Sequence, residues 1–178
     1  MKVQSSPVLT QTEPLISQFF RNTAGHWHSQ RRYYTLNDGK VKEVTSDMQI
    51  DFLATGSEEL AILEGLHHFP RNTLLCGAKV SWRSEDSKTG KKQSEDSTLF
   101  GALGHTLYRD RGFAIAKPIT AEYYFPHPNT LCLRTEYNGS AFEEELKLIG
   151  DRYRTRQTII SRAGEEIMIG QYLETRIS

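Results

Sequence analysis

The sequence predicts an all-β fold, an antiparallel up-and-down barrel of about ten strands with two short helices. Three observations predict it. Segments rich in Trp, Tyr, Phe, Thr, Val and Ile recur along most of the chain at roughly the 8–12-residue spacing of sandwiches and barrels. Turn signals fall between them, at Asn37-Asp38-Gly39, Asn138-Gly139 and Ala163-Gly164. Strands and helices do not alternate, which excludes a doubly wound parallel sheet.

In chain order, residues 1–12 are polar and expected to be loose, and residues 13–178 form a single barrel domain. A first helix is expected where Thr10 and Glu13 resemble a capping box and Pro14 suits an early helical position. Leu15, Ile16, Phe19 and Phe20 form its apolar stripe, and Gly25 ends it. A second helix is expected over Glu58–His67, capped by Ser57, with Leu60, Leu63 and Leu66 on one face. The expected strands are Trp27–Leu36, Val41–Phe52, Leu74–Arg83, Thr98–Leu107 (interrupted at Gly101 and Gly104), Phe113–Ala116, Thr120–Phe125, Thr130–Tyr137, Ala141–Ile149, Arg152–Arg162 and Glu165–Ile177.

Composition narrows the function. Lys+Arg and Asp+Glu are 22 each, a formal net charge of +0, which argues against a dedicated nucleic-acid binder. The longest stretch without Asp, Glu, Lys or Arg, Ser97–Tyr108, falls short of the roughly 20 apolar residues of a membrane helix. The N-terminus lacks the apolar run of a secretory signal, so the protein is expected in the cytosol, with Cys76 and Cys132 as reduced packing thiols. His26 and His28 share a strand face, but no third ligand at a characteristic spacing joins them, and no metal site is expected. P-loop, nucleophile-elbow and H-E-x-x-H motifs are lacking.

Strand alternation places the polar side chains. Trp27, Ser29, Arg31, Tyr33 and Thr35 share one face of their strand, and Tyr172, Glu174 and Arg176 share one face of theirs. Arg152, Arg154 and Arg156 line up on one face, a row of guanidinium forks suited to carboxylates. Such a row is also what a solvated surface ladder looks like, and residue type alone leaves both readings open. Glu144 points opposite to Glu143 and Glu145. The strands lack clean apolar/polar alternation, as in a barrel whose partly polar interior holds a ligand.

Gly25-His26-Trp27 is the G-x-W that opens the first strand of lipocalin-like (calycin) barrels. In a fixed order over about residues 15–178 follow Phe19-Phe20-Arg21 before it, His28-Ser29-Gln30-Arg31 after it, Gly77-Ala78-Lys79-Val80-Ser81-Trp82, Thr135-Glu136-Tyr137, Arg154-Thr155-Arg156 and Glu174-Thr175-Arg176. Together they resemble the S/U-type phycobiliprotein chromophore lyases. Arg32 departs from the small hydroxyl residue usual there.

The resemblance implies a ten-stranded calycin barrel, with Trp27 plugging its closed end against an arginine from a late strand. It implies an open-chain bilin, such as phycocyanobilin, bound non-covalently as substrate with no resident cofactor. It implies transfer of that bilin to a cysteine of a phycobiliprotein apo-subunit by a thioether bond, in the cytosol or a plastid stroma. A related lyase subunit or a second copy is an open alternative for further partners. The matched positions are Arg31, Trp82, Glu144, Arg154, Arg156 and Glu174. Glu143 or Glu145 is an alternative to Glu144 in register. Arg154 and Arg156 are expected to hold the propionates, Trp82 to wall the pocket, and Arg31 to serve propionates or acceptor docking. Glu144 or Glu174 is expected to stabilise the protonated bilin. The competing readings are a non-enzymatic carrier of a hydrophobic ligand, such as a fatty acid or haem, and a subunit of a larger assembly.

Overall fold

A computed structural model describes residues 9–113 and 115–178. Helix α1 (Leu9–Thr23) precedes β1 (Gly25–Thr35) and β2 (Val41–Ala54). Helix α2 (Glu58–Leu66) leads to β3 (Cys76–Asp86), β4 (Lys92–Leu103), β5 (Thr106–Arg109) and β6 (Ile119–His127). Strands β7 (Thr130–Tyr137), β8 (Ser140–Ile149), β9 (Tyr153–Arg162) and β10 (Glu165–Arg176) complete the chain. Every neighbour in the sheet is antiparallel, and β10 pairs back onto β1 (Trp27 opposite Arg176), closing the barrel. Closure removes both sheet edges, which otherwise invite aggregation.

The turns follow from local chemistry. Asn138 and Gly139 take φ of 53° and 74°, and Ala163 and Gly164 take 51° and 81°. Two consecutive positive φ values match the right-handed twist of the flanking strands in a two-residue hairpin.

Packing explains two glycines within strands. Gly77 and Gly101 face each other across β3 and β4. A Cβ on Gly77 would meet the Phe100 carbonyl and Leu60, and one on Gly101 would meet Leu74 and Leu63. These bare positions let α2 lie flat on the barrel wall, where Leu60 and Leu63 pack with Leu53 and Leu74 in a separate apolar cluster. Ser57 caps α2 by accepting from the Leu60 N–H.

Helix α1 packs against β2, β3, β4 and β6. Its Ile16, Phe19 and Phe20 join Trp27, Ile50, Ala102 and Leu107 in the main core. Trp27 is fully buried, donates from Nε1 to the Thr23 carbonyl (2.8 Å) and lies 4.4 Å from the Arg176 guanidinium carbon, measured to its ring centroid. Arg176 donates to the carbonyls of Asn22, Ala24 and Asp151, so one side chain ties the end of α1, the start of β1 and the β8–β9 turn together. This end of the barrel is plugged, as expected for Trp27.

Several boundaries differ from the sequence expectation. The first helix already runs at Leu9 and stops at Thr23, and Gly25 opens β1 rather than ending the helix; the expected loose segment lies outside the described residues up to residue 8. Thr98–Leu107 is two strands, divided at Gly104 (φ 60°), whereas Gly101 is a packing site and not a break. Of the expected strand Phe113–Ala116, the described residues form no strand; they belong to the connection between β5 and β6. The total of ten strands is therefore reached with one expected strand split and another lost. Arg152 lies in the exposed turn before β9, so two arginines rather than three share the inward face.

Candidate functional site

At the end opposite Trp27 the barrel opens into a cavity of about 680 Å³. That is within the roughly 300–1,000 Å³ usual for small-molecule sites. Its base is apolar, formed by Phe19 and Phe20 of α1 with Ile50, Ala78, Leu107 and Leu131. Its upper wall is charged and aromatic, because the inward positions of β1, β3, β8, β9 and β10 carry Arg31, Tyr33, Trp82, Glu144, Arg154, Arg156 and Tyr172. A shallower groove of about 660 Å³ runs beside Arg32, Gln157 and Gln171 and lacks such an apolar base.

Two ion pairs organise the wall. Glu144 is buried, and its Oε2 accepts from Arg156 Nη2 (2.6 Å) and Nε (2.8 Å). Burial disfavours the Arg156 cation, but the Glu144 carboxylate, with Tyr172 and Glu174 nearby, outweighs it and raises the guanidinium pKa. Glu174 is 0% exposed, and its Oε1 accepts from Arg154 Nε (2.8 Å). Burial pushes this carboxyl up, yet Arg154, helped by Arg156 and Arg31, holds it below the ordinary carboxylate range. Tyr172 sits between Arg31 (5.3 Å) and Arg156 (4.9 Å), and its phenol is held above its usual range by burial. Arg154 also lies 5.4 Å from the Trp27 ring, so the plug and the wall share a side chain.

All six residues singled out by sequence lie on inward-facing positions, but at two depths. Arg31, Trp82, Glu144, Arg154 and Arg156 line the cavity, whereas Glu174 sits behind Arg154 and does not. Arg31 donates to Ser29 Oγ (3.2 Å) and contacts Met48 Sδ (3.1 Å), with no carboxylate partner among the described residues. Trp82 stands near the mouth and donates to Ser94 Oγ (3.2 Å). Glu143 and Glu145 are exposed, so of the three consecutive glutamates Glu144 is the one facing the cavity.

Sequence reasoning missed Arg109, which lies in the cavity between the rings of Phe100 (4.6 Å) and Phe113 (5.0 Å). In the charged run Arg109-Asp110-Arg111 it reads as a surface residue. The available signal was alternation: counting from the Gly104 turn, Leu107 and Arg109 share the inward face of β5. Tyr137 and Phe113 stack on Phe142 (5.1 and 4.5 Å), making an aromatic rim beside it.

A closed antiparallel barrel, plugged at one end by Trp and Arg and opening at the other onto a charged cavity, defines a lipocalin-like (calycin) ligand-binding protein. The chain belongs to the CpeS-like protein family, whose pattern it matches over residues 15–177. It is 60% identical to a Nostoc sp. protein named "Putative phycocyanobilin lyase CpcS 2", covering 99% of each chain. It is 48% identical to a Picosynechococcus sp. protein named "Putative chromophore lyase CpcV", over 97% of this chain and 88% of that one. Among solved structures it resembles the S-type phycobiliprotein lyase CPES of Guillardia theta, with a TM-score of 0.76 and 21% identity over 92% and 93% of the two chains. That last likeness concerns the fold.

Proposed function

We propose that the protein is a bilin lyase that binds an open-chain bilin non-covalently in the barrel and directs it onto a cysteine of a phycobiliprotein apo-subunit. The observation that carries this reading is the cavity itself. It combines an apolar base, an aromatic wall and several guanidiniums, complementary to a conjugated tetrapyrrole with two propionates. Membership of the CpeS-like family and the lyase names of its relatives support it. No helix of the described residues is long and apolar enough to cross a membrane, and we place the reaction in the cytosol or plastid stroma.

The chemistry is an addition. The acceptor's thiolate attacks the ethylidene side chain of the bilin; a C–S bond forms, the C=C bond is consumed, and the thiol's proton ends on the conjugated system, with nothing leaving. Protonating the bilin makes the ethylidene carbon more electrophilic. Glu144, on the cavity wall, is the carboxylate placed to stabilise that cation, while Glu174 acts through Arg154, which it fixes. Arg154 and Arg156 keep further N–H donors for propionates, and Trp82 walls the pocket. Rate enhancement then comes mainly from holding the bilin in one geometry against an incoming cysteine.

The test has two steps. Mixing the protein with phycocyanobilin should give a coloured complex with a shifted absorption band that is lost on denaturation. Adding an apo-subunit should give a zinc-fluorescent band that survives denaturing electrophoresis. A carrier passes the first step and fails the second; failure of both removes the bilin reading altogether.

A further inference from the structure

Among the described residues Arg109 is the buried arginine of the cavity that no carboxylate holds in an ion pair. It is 9% exposed, its Nε has no hydrogen-bond partner among the described residues, and Nη2 reaches Thr98 Oγ1 at the long distance of 3.5 Å. Both nearby carboxylates are engaged elsewhere: Glu144 by Arg156, and Asp110 Oδ1 by the Thr98 hydroxyl (2.8 Å) and the Leu99 N–H (3.0 Å). Burial accordingly pulls the Arg109 guanidinium below its ordinary pKa, though an arginine remains a cation at neutral pH. Among the described residues four buried side-chain atoms lack a partner, and two of these, Arg109 Nε and Thr158 Oγ1, belong to the cavity lining. Thr158 lies directly across the strand pair from Glu144, and the same carboxylate acts electrostatically on Arg109.

A buried, unpaired cation disfavours the empty protein and favours any anion that reaches it. The contrast with Arg154 and Arg156 decides the assignment. Each of those already holds an internal carboxylate, and a ligand carboxylate there must share the guanidinium. At Arg109 it would meet a guanidinium that no carboxylate pairs with among the described residues, and one that is buried, whereas Arg31, also without a carboxylate, is only half-buried.

We propose that Arg109 is a carboxylate-binding residue of the cavity, which takes a propionate of the bilin between the Phe100 and Phe113 rings, with the Thr158 hydroxyl as second donor. This rests on the bilin reading above and adds an anchor to it. The two flanking rings hold the guanidinium by cation–π contact before the ligand arrives.

The experiment compares phycocyanobilin with its dimethyl ester, by absorbance titration of the full-length protein and of Arg109→Met. Methionine keeps the packing between the rings and removes the charge. The parent should prefer the diacid to the ester by about tenfold or more, the range of a hydrogen bond to a charged group. Arg109→Met should lose about tenfold of diacid affinity, bind the ester nearly as the parent does, and be at least as stable when empty. Retention of the parent's acid-over-ester ratio by Arg109→Met overturns the proposal and leaves the bilin reading intact, as does a parent that binds acid and ester alike. A parent that binds neither overturns both. If Arg109→Met does not fold, Arg109→Lys decides, since a point charge without the planar fork should keep part of the ratio; an unchanged ratio counts against the proposal.

Discussion

Glu174 and Glu144 each hold one arginine, but only Glu144 lines the cavity. Glu174→Gln leaves the buried Arg154 without its counter-charge, against the Trp27 plug. Breaking a buried pair by removing one partner typically costs about 3–5 kcal/mol, and the expected result is a urea midpoint lowered by that energy divided by the slope, with the slope unchanged. The pH dependence has a definite sign. The Glu174 carboxyl is held below its ordinary range in the folded protein. Its contribution is therefore fully present above the unfolded value of about 4.3 and is lost as pH falls through the folded value. Acid unfolding followed by tryptophan fluorescence should show a shallower loss of stability in Glu174→Gln than in the parent. On the cavity side, Arg154→Ala or Arg156→Ala should weaken phycocyanobilin binding by about ten- to a hundredfold, and Lys should rescue in part. Equal binding by both alanine variants would show that neither guanidinium meets the ligand. A period of two was enough to say which side chains share a face with Arg31, Glu144, Arg154 and Arg156, but whether that face points inward was left open by residue type and was supplied by the family resemblance. The period could not say that Glu174 would sit one layer behind the cavity, because depth along a barrel depends on where the plug ends.

At the level of elements, the position of α2 depends on two missing side chains. Gly101→Val would drive a branched side chain into Leu74 and Leu63, and overpacking of this kind costs about 1–3 kcal/mol. Because α2 has its own apolar cluster, the damage should be local: faster amide exchange over Glu58–Leu66 with a smaller change at β8 to β10. Uniform acceleration around the barrel would mean that α2 and the barrel are one cooperative unit. The hairpin at Asn138-Gly139 was legible because both residues favour positive φ, whereas Gly101 and Gly104 look alike in sequence. One is a packing contact with a helix about forty residues away in the chain, the other a turn, and local chemistry does not distinguish them. The segment around Phe113 misled for a related reason. Its aromatic content reads as strand, but the ring is used to stack on Phe142 at the mouth.

The barrel as a whole separates its own thiols from the site, which bears on where the covalent bond forms. Cys76 is buried in the core beside α1, and Cys132 is half-exposed on the outer face of β7, between the inward-facing Leu131 and Leu133. Neither lines the cavity. Burial raises the Cys132 thiol pKa, with a Tyr124 hydrogen bond acting the other way, so little of it is the reactive thiolate at neutral pH. In the function proposed above, a bilin seated among Arg31, Glu144 and Arg156 meets neither sulfur in the cavity lining, and the nucleophile is the acceptor's cysteine, entering through the mouth. The double variant Cys76→Ala, Cys132→Ala should lose about 1 kcal/mol of stability from the vacated core position and bind phycocyanobilin as the parent does. It should still load an apo-subunit, read as the zinc-fluorescent band, at a rate within about twofold of the parent's, since a twofold change is only about 0.4 kcal/mol of barrier. If the variant folds and binds bilin but cannot load the acceptor, one of these thiols carries the chromophore on its way out, and the wall of the barrel must open to let it.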